Sequence, residues 1–207
     1  MIIVFVGGIG SGKTISVIKE LVERSAYSQA YVNFKTKKIP GCHRIKMDMI
    51  ISKETEEGSR GKLTTTKKVN WQFWNELKKK NQRFSIYLDE VHNILNSRMS
   101  MSKNNVLMGM WIAQIRKVFG GTESDHLYII SQKLRRIDVN LRDLAHWVIE
   151  CNKVMIGDKV IIIRTYYQGA DAYEMGVQYS KTYFTANPFF KYYDSYELVD
   201  FGSDVYL

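Results

Sequence analysis

Residues 7–14 read Gly7-Gly8-Ile9-Gly10-Ser11-Gly12-Lys13-Thr14, and this stretch decides the fold. It matches the phosphate-binding pattern G-x-x-x-x-G-K-[ST], which carries meaning only between a strand and a helix. The flanks supply both. The apolar run Ile2-Ile3-Val4-Phe5-Val6 predicts a buried strand over 2–6, and a helix is predicted over about 13–25. Glycines let the backbone wrap closely around a polyphosphate with its N–H groups turned inward. The helix that starts at Lys13 adds the positive end of its dipole. In this reading the backbone of Gly7, Gly8, Ile9, Gly10, Ser11 and Gly12 cradles the phosphates of ATP. Lys13 reaches the β- and γ-phosphates, and the Thr14 hydroxyl binds Mg²⁺. The competing reading is a glycine-rich turn with no ligand, against which the full pattern behind a strand argues.

The 207 residues, 45% of them hydrophobic, are enough for one α/β domain over 1–207 with its own core. No apolar run approaches the ~20 residues that span a bilayer. The first strand runs straight into the loop, so no removable signal peptide is expected. A reducing, cytoplasmic setting fits a nucleotide-binding protein. Cys42 and Cys151 show neither metal-ligand spacing nor a disulfide framework, so both read as structural thiols.

The net charge is +9, and one segment carries all of it. Residues 35–83 hold 14 Lys and Arg against 5 Asp and Glu. A local basic field suits a polyanion such as DNA. It equally describes a solvated, lysine-rich insertion.

Along the chain, Tyr31 to Phe34 reads as a second strand and His43 to Met47 as a third. Residues 52–69 are polar with no apolar period, which predicts an excursion, either a hairpin or a mobile loop. A helix resumes near Asn70, with Trp71, Phe73, Trp74 and Leu77 at helical spacing and therefore core-facing. Ser85 to Leu88 is the next strand. A helix over about 103–119 places Leu107, Trp111, Ile115 and Val118 on one side and stops at Gly120-Gly121. Leu127 to Ile130, Trp147 to Glu150 and Val160 to Arg164 supply further strands, and the tail is rich in Tyr and Phe. Strands alternating with helices predict a mainly parallel central sheet with helices on both faces.

Two further elements belong with the loop. Ile86-Tyr87-Leu88 ends in Asp89-Glu90, the form of a Walker B strand. Asp89 at the strand tip is expected to hold Mg²⁺ with Thr14. Glu90 is expected to orient and deprotonate the attacking water. A single acid would suit a switch or a kinase, whereas the Asp-Glu pair suits hydrolysis. The strand 127–130 ends in Ser131-Gln132. Gln132 is the candidate sensor of the γ-phosphate, if its strand lies between the two Walker strands. Otherwise it is a surface amide.

The succession of these pieces resembles a family. After the phosphate loop come Leu88-Asp89-Glu90-Val91-His92-Asn93, Arg98, Gln114-Ile115-Arg116-Lys117, Ser131-Gln132, Ile137-Asp138-Val139-Asn140-Leu141-Arg142 and Phe190-Lys191-Tyr192-Tyr193-Asp194-Ser195. The chain looks like the zonula-occludens-toxin-like (Zot) ATPases of filamentous phages, within the FtsK–HerA branch of P-loop motors. That branch also holds viral genome-packaging ATPases. The resemblance implies a RecA-like domain, an ATP-driven motor on nucleic acid and a homo-oligomeric ring. It also implies a capsid or membrane assembly partner, a host-cytoplasmic or virion-associated location, and an arginine that completes the neighbour's site. Arg142 and Arg116 rank first for that arginine, ahead of Arg98, with Arg135 and Arg136 as further candidates. Each also suits a surface salt bridge or a DNA contact. Phage Zot proteins carry a membrane helix and a further domain after the ATPase, and neither is expected from residues 1–207. Its Gln114 to Lys117 also replaces the family's His-rich stretch. Both departures favour viral genome packaging over filamentous-phage DNA export.

Two basic stretches are candidate DNA contacts: Lys78-Lys79-Lys80 with Arg83, and Lys53, Arg60, Lys62, Lys67 and Lys68 of the polar excursion. The readings outside the motor class are a small-molecule kinase and a nucleotide-gated assembly protein that turns over little.

Overall fold

The alternation along the first strand already sets up two cores. In the computed structural model, which describes residues 1–57, 63–80, 83–91, 103–119 and 125–193, β1 (Ile2–Val6) is buried along its whole length. Ile2, Val4 and Val6 enter one hydrophobic cluster, and Ile3 and Phe5 enter another on the opposite face. The strands β6 (Phe84–Leu88) and β7 (Leu127–Ile130) divide in the same way, as a sheet covered on both sides requires.

Among the described residues, eight strands form one sheet in the order β10-β9-β8-β1-β7-β6-β2-β3. The remaining strands of that sheet are β2 (Gln29–Val32), β3 (Cys42–Arg44), β8 (Trp147–Ile156), β9 (Lys159–Tyr167) and β10 (Ser180–Thr185). The pairs from β8 across to β3 are all parallel, and β8–β9 and β9–β10 are antiparallel. This is an α/β fold with a mixed, mainly parallel sheet. The helix α1 (Lys13–Arg24) covers one face through Ile15, Val17, Ile18 and Leu21. The other face is covered by α3 (Trp71–Lys79) and α4 (Lys103–Val118), after the short α2 (Met47–Ile50). Here Trp74, Trp111, Phe84 and Phe119 form a chain of ring contacts with centroids 5.3–5.8 Å apart.

The polar excursion is an antiparallel hairpin, β4 (Ile51–Glu57) with β5 (Leu63–Val69), outside the main sheet. Its base is tied down by Asn70, whose N–H donates to the Ile50 carbonyl at 2.8 Å. Asn70 also caps α3 through the Phe73 N–H.

Several expectations shift. The second strand is Gln29–Val32 rather than 31–34, and the side chain of the next residue, Asn33, binds the backbone at the end of β6. The third strand, expected over 43–47, is β3 at Cys42–Arg44, and Met47 already belongs to α2. The strands at the C-terminal side run longer than their apolar cores: residues 152–156 of β8 are exposed and held by their ladder with β9, which turns at Gly157. The strand β10 has no apolar run at all and is held by pairing with β9. The Gly120-Gly121 helix stop lies outside the described residues.

Trp74 is fully buried at the centre of the α3–α4 face. Replacing it with Ala should lower unfolding free energy by about 3–5 kcal/mol, read from urea titrations followed by circular dichroism.

Candidate active site

The sheet order brings three strand ends to one edge. β7 lies between β1 and β6, with Leu127 paired to both Ile2 and Ile86. The loop after β1, Asp89-Glu90 after β6 and Ser131-Gln132 after β7 therefore share the C-terminal edge, where open α/β sheets bind ligands.

The loop conformation demands glycine at two places. Gly7 has φ +145°, and a Cβ there would meet the Cys151 carbonyl oxygen and Ser11 Oγ at 2.6 Å. Gly12, at the N-cap of α1, has φ +90°, and a Cβ would meet Ile162 Cδ1 at 2.3 Å. The residues β8 and β9 contribute are thus the wall against which the loop is wound. Gly7 N–H donates to the Gln132 carbonyl at 3.4 Å, Ser11 N–H to the Gly8 carbonyl at 3.2 Å, and Ser16 N–H to the Gly12 carbonyl at 2.9 Å. Ile9 at the apex is 89% exposed. Ser11 Oγ is buried without a hydrogen-bond partner among the described residues.

Lys13 is buried, and its Nζ donates to the carbonyls of Gly7 at 2.9 Å and Gly8 at 2.8 Å. Burial pulls its ammonium below the usual lysine value, while Asp89 and Glu90 pull it back up.

Thr14 Oγ1 donates to Asp89 Oδ2 at 3.0 Å. Asp89 is 4% exposed, and burial pushes its carboxyl up to about 6 against the Thr14 hydrogen bond, which lowers it. A buried carboxylate beside a hydroxyl is a hard-oxygen pair that fits Mg²⁺. Among the described residues no cluster of three His, Cys, Asp or Glu exists, so phosphate oxygens and waters would complete that coordination.

The neighbouring Glu90 has φ +51°, a conformation disfavoured for a side chain of its size. Three hydrogen bonds hold the turn. Glu90 N–H donates to Asp89 Oδ1 at 2.8 Å. Asn33, 1% exposed at the end of β2, grips the Asp89 peptide from both sides: its Nδ2 donates to the Asp89 carbonyl at 2.8 Å, and its Oδ1 accepts from the Asp89 N–H at 2.7 Å. Sequence reading passed over Asn33, because an asparagine after a short strand carries no motif.

Gln132 stands beside the loop through its backbone, but its Oε1 accepts from Arg136 Nη1 at 2.7 Å. Arg136 is thus the arginine held beside this chain's own loop. Arg142 lies on α5 (Val139–Asp143), one turn before His146, whose N–H donates to the Ile2 carbonyl at the opposite end of β1. It pairs with Glu174 of α6 (Gly169–Glu174) at 3.6 Å. It faces Glu174 rather than the Gly7–Thr14 loop. Arg116 lies on α4, and its side chain falls outside the described residues, as do Arg98, His92-Asn93, Arg60, Lys62 and Asp194-Ser195.

The basic residues divide between edges. Lys35, Lys37 and Lys38 follow β2 at the loop's edge. Lys78 to Lys80 and Arg83 precede β6 at the other, where Lys78 Nζ donates to the Lys117 carbonyl at 2.9 Å. In the hairpin, Lys68 pairs with Glu54 across the strands.

A cavity of about 600 Å³ opens beside the loop. Gly10, Gly12, Lys13, Thr14 and Ile15 line one side, and Lys153, Val160, Ile162, Phe190 and Tyr193 line the other. Phe190 and Tyr193 belong to the closing segment 190–195 singled out in the sequence, but the wall they form with Lys153, Val160 and Ile162 was not anticipated.

The solved N-terminal domain of zonular occludens toxin from Neisseria meningitidis matches this chain with a TM-score of 0.57 at 16% identity. The match covers 93% of this chain and 98% of that domain. The chain shares the α/β fold of that domain. B204, the DNA-packaging ATPase of Sulfolobus turreted icosahedral virus, aligns over 88% of this chain and 95% of its own, with a TM-score of 0.48 and 11% identity. Its counterpart from Sulfolobus turreted icosahedral virus 2, solved with ATP-γ-S, gives 0.44 and 12% over 88% and 95%. No protein-family model matches the chain, and no curated protein matches it in sequence. No helix among the described residues is long and apolar enough to cross a membrane.

Two outcomes test this geometry. A carboxyl whose folded value lies near 6 rather than 3.8 binds its proton more tightly folded than unfolded, so stability falls as pH rises through that window. In metal-free buffer Asp89→Asn should melt above the wild type at pH 8, and the gap should close toward pH 4. Asn33→Ala strips two buried backbone groups of their partners and should cost roughly 1–3 kcal/mol in urea unfolding.

Proposed function

We propose that this chain is a Mg²⁺-dependent ATPase that drives nucleic acid, most simply a viral genome into a capsid. The observation that carries the ATPase reading is the meeting of Thr14 and Asp89 across the sheet, with Lys13 and Glu90 beside them. The motor reading rests on the sequence resemblance and on the basic excess of residues 35–83.

In this mechanism the N–H groups of residues 7–14 and the N-terminus of α1 hold the triphosphate. The Lys13 ammonium exchanges the Gly7 and Gly8 carbonyls for β- and γ-phosphate oxygens. Thr14 and ionised Asp89 hold Mg²⁺, which when bound neutralises charge developing on the phosphates. Glu90 takes a proton from the water that attacks the γ-phosphorus, and the bond to the β-phosphate oxygen breaks, leaving ADP and phosphate. The Asn33 clamp keeps Asp89 and Glu90 in one orientation while this happens. Gln132 responds to the γ-phosphate through its contact with Arg136. An arginine of a neighbouring copy in a ring completes the transition-state charge, with Arg142 and Arg116 as the ranked donors. The Lys-rich segments grip phosphates without reading sequence.

The test is steady-state ATP hydrolysis with and without DNA. Wild type should hydrolyse ATP faster with DNA. Lys13→Ala should lose about 10²–10³-fold and Glu90→Gln about 10²–10⁴-fold in kcat. Hydrolysis indifferent to DNA would remove the motor reading, and activity unchanged in Glu90→Gln would remove the mechanism.

A further inference from the structure

We propose that the cavity beside the phosphate loop is a stacking slot for a purine base, with Phe190 as the ring on which the base lies. The inference rests on the ATP-binding reading and adds the part of the nucleotide that the loop does not touch. Four observations carry it. The cavity is continuous with the loop: Gly12, Lys13 and Thr14 line it together with Ile15. Its volume of about 600 Å³ lies within the range of small-molecule sites, about 300–1,000 Å³. Its far wall is apolar and aromatic, built from Val160, Ile162, Phe190 and Tyr193. Finally, Phe190 is 46% exposed, although its neighbour Phe189 packs into the core cluster on α1's side of the sheet.

The wall is held in place from behind. Ile162 is fully buried and touches the Gly12 position, so the apolar floor begins where the loop ends. The Tyr193 ring meets the Phe34 ring edge-on, centroids 6.3 Å apart. The turn Asn187–Tyr192 that carries Phe190 is fastened by the Lys37 N–H, which donates to the Tyr192 carbonyl at 2.9 Å. An aromatic platform that lines the same cavity as the phosphate loop suits a flat base. Stacking recognises the π-face common to all bases and favours the larger purines. Lys153, opposite Ile162 in the ladder, offers donors only, and N7 is an acceptor in adenine and guanine alike. The slot therefore takes ATP and GTP together and holds pyrimidine nucleotides more weakly.

Calorimetric titration in Mg²⁺ buffer with ATP, GTP, CTP and inorganic tripolyphosphate tests this on wild type, Phe190→Ala, Phe190→Trp and Lys13→Ala. The expected result is ATP and GTP affinities within about fivefold of each other. Phe190→Ala should weaken both about 5- to 100-fold while leaving tripolyphosphate binding unchanged, and Phe190→Trp should restore them. Lys13→Ala should weaken all four ligands. ATP binding unaltered in Phe190→Ala would overturn the slot and leave the phosphate site standing. Equal loss of ATP and tripolyphosphate in Phe190→Ala would overturn it too, since the effect would then be on the loop. Wild type that binds neither ligand would overturn the slot and the ATPase reading together.

Discussion

Thr14 and Asp89 stand 75 residues apart in the chain and are joined by one hydrogen bond of 3.0 Å. That contact requires β1 and β6 to run parallel and in step, with exactly one strand between them. The parallel ladders of β7 with both neighbours set this spacing. Asn33 extends the link to a further strand, because its amide satisfies both backbone groups of Asp89. A run of side chain, carboxylate and peptide thus ties α1, β6 and the end of β2 into one edge. Burial raises the energetic stake of that edge. Asp89 ionises at a cost in a dry setting, and the Thr14 hydroxyl and the Glu90 N–H that donate to its carboxylate limit that cost.

The second constraint is steric and comes from the other side of β1. The loop can close only where residues 7 and 12 have no side chain, since Cys151 and Ile162 already occupy that space. The antiparallel strands β8 and β9 therefore do more than extend the sheet. They set the loop's shape from below and provide the apolar floor of the adjoining cavity. The buried Arg164 pairs with the partly exposed Glu20 at 2.6 Å, which fastens β9 to α1 beside that floor. The Glu90 turn, at φ +51°, is the strained counterpart across the site, tolerated because its hydrogen bonds over-determine it.

Charge is arranged less simply than its distribution along the chain suggests. The basic excess of residues 35–83 folds to both edges of the sheet and to a hairpin, and part of it is used internally. Lys78 satisfies a carbonyl at the end of α4, and Lys68 faces Glu54.

The local pattern of residues 2–14 was enough to place a strand, a glycine-rich turn and a helix, because each is specified by neighbours a few residues apart. Apolar runs likewise located β6 and β7, and helical spacing put Trp74 and Trp111 inward. The acids of Asp89-Glu90 were legible as a pair at a strand tip. What sequence alone did not reveal are the contacts made at long range. The Asn33 clamp, the Arg136 contact on Gln132 and the Phe190 wall are pairings that the local sequence around either partner does not specify. The strand β10 also escaped, since a ladder partner rather than burial holds it. The sequence determined which chemistry the loop and the strand tip contain, because covalent order and local dihedral freedom dictate both. Only the tertiary structure decided which groups surround them, because sheet order and register, set by packing of the two cores, choose the neighbours of every strand end.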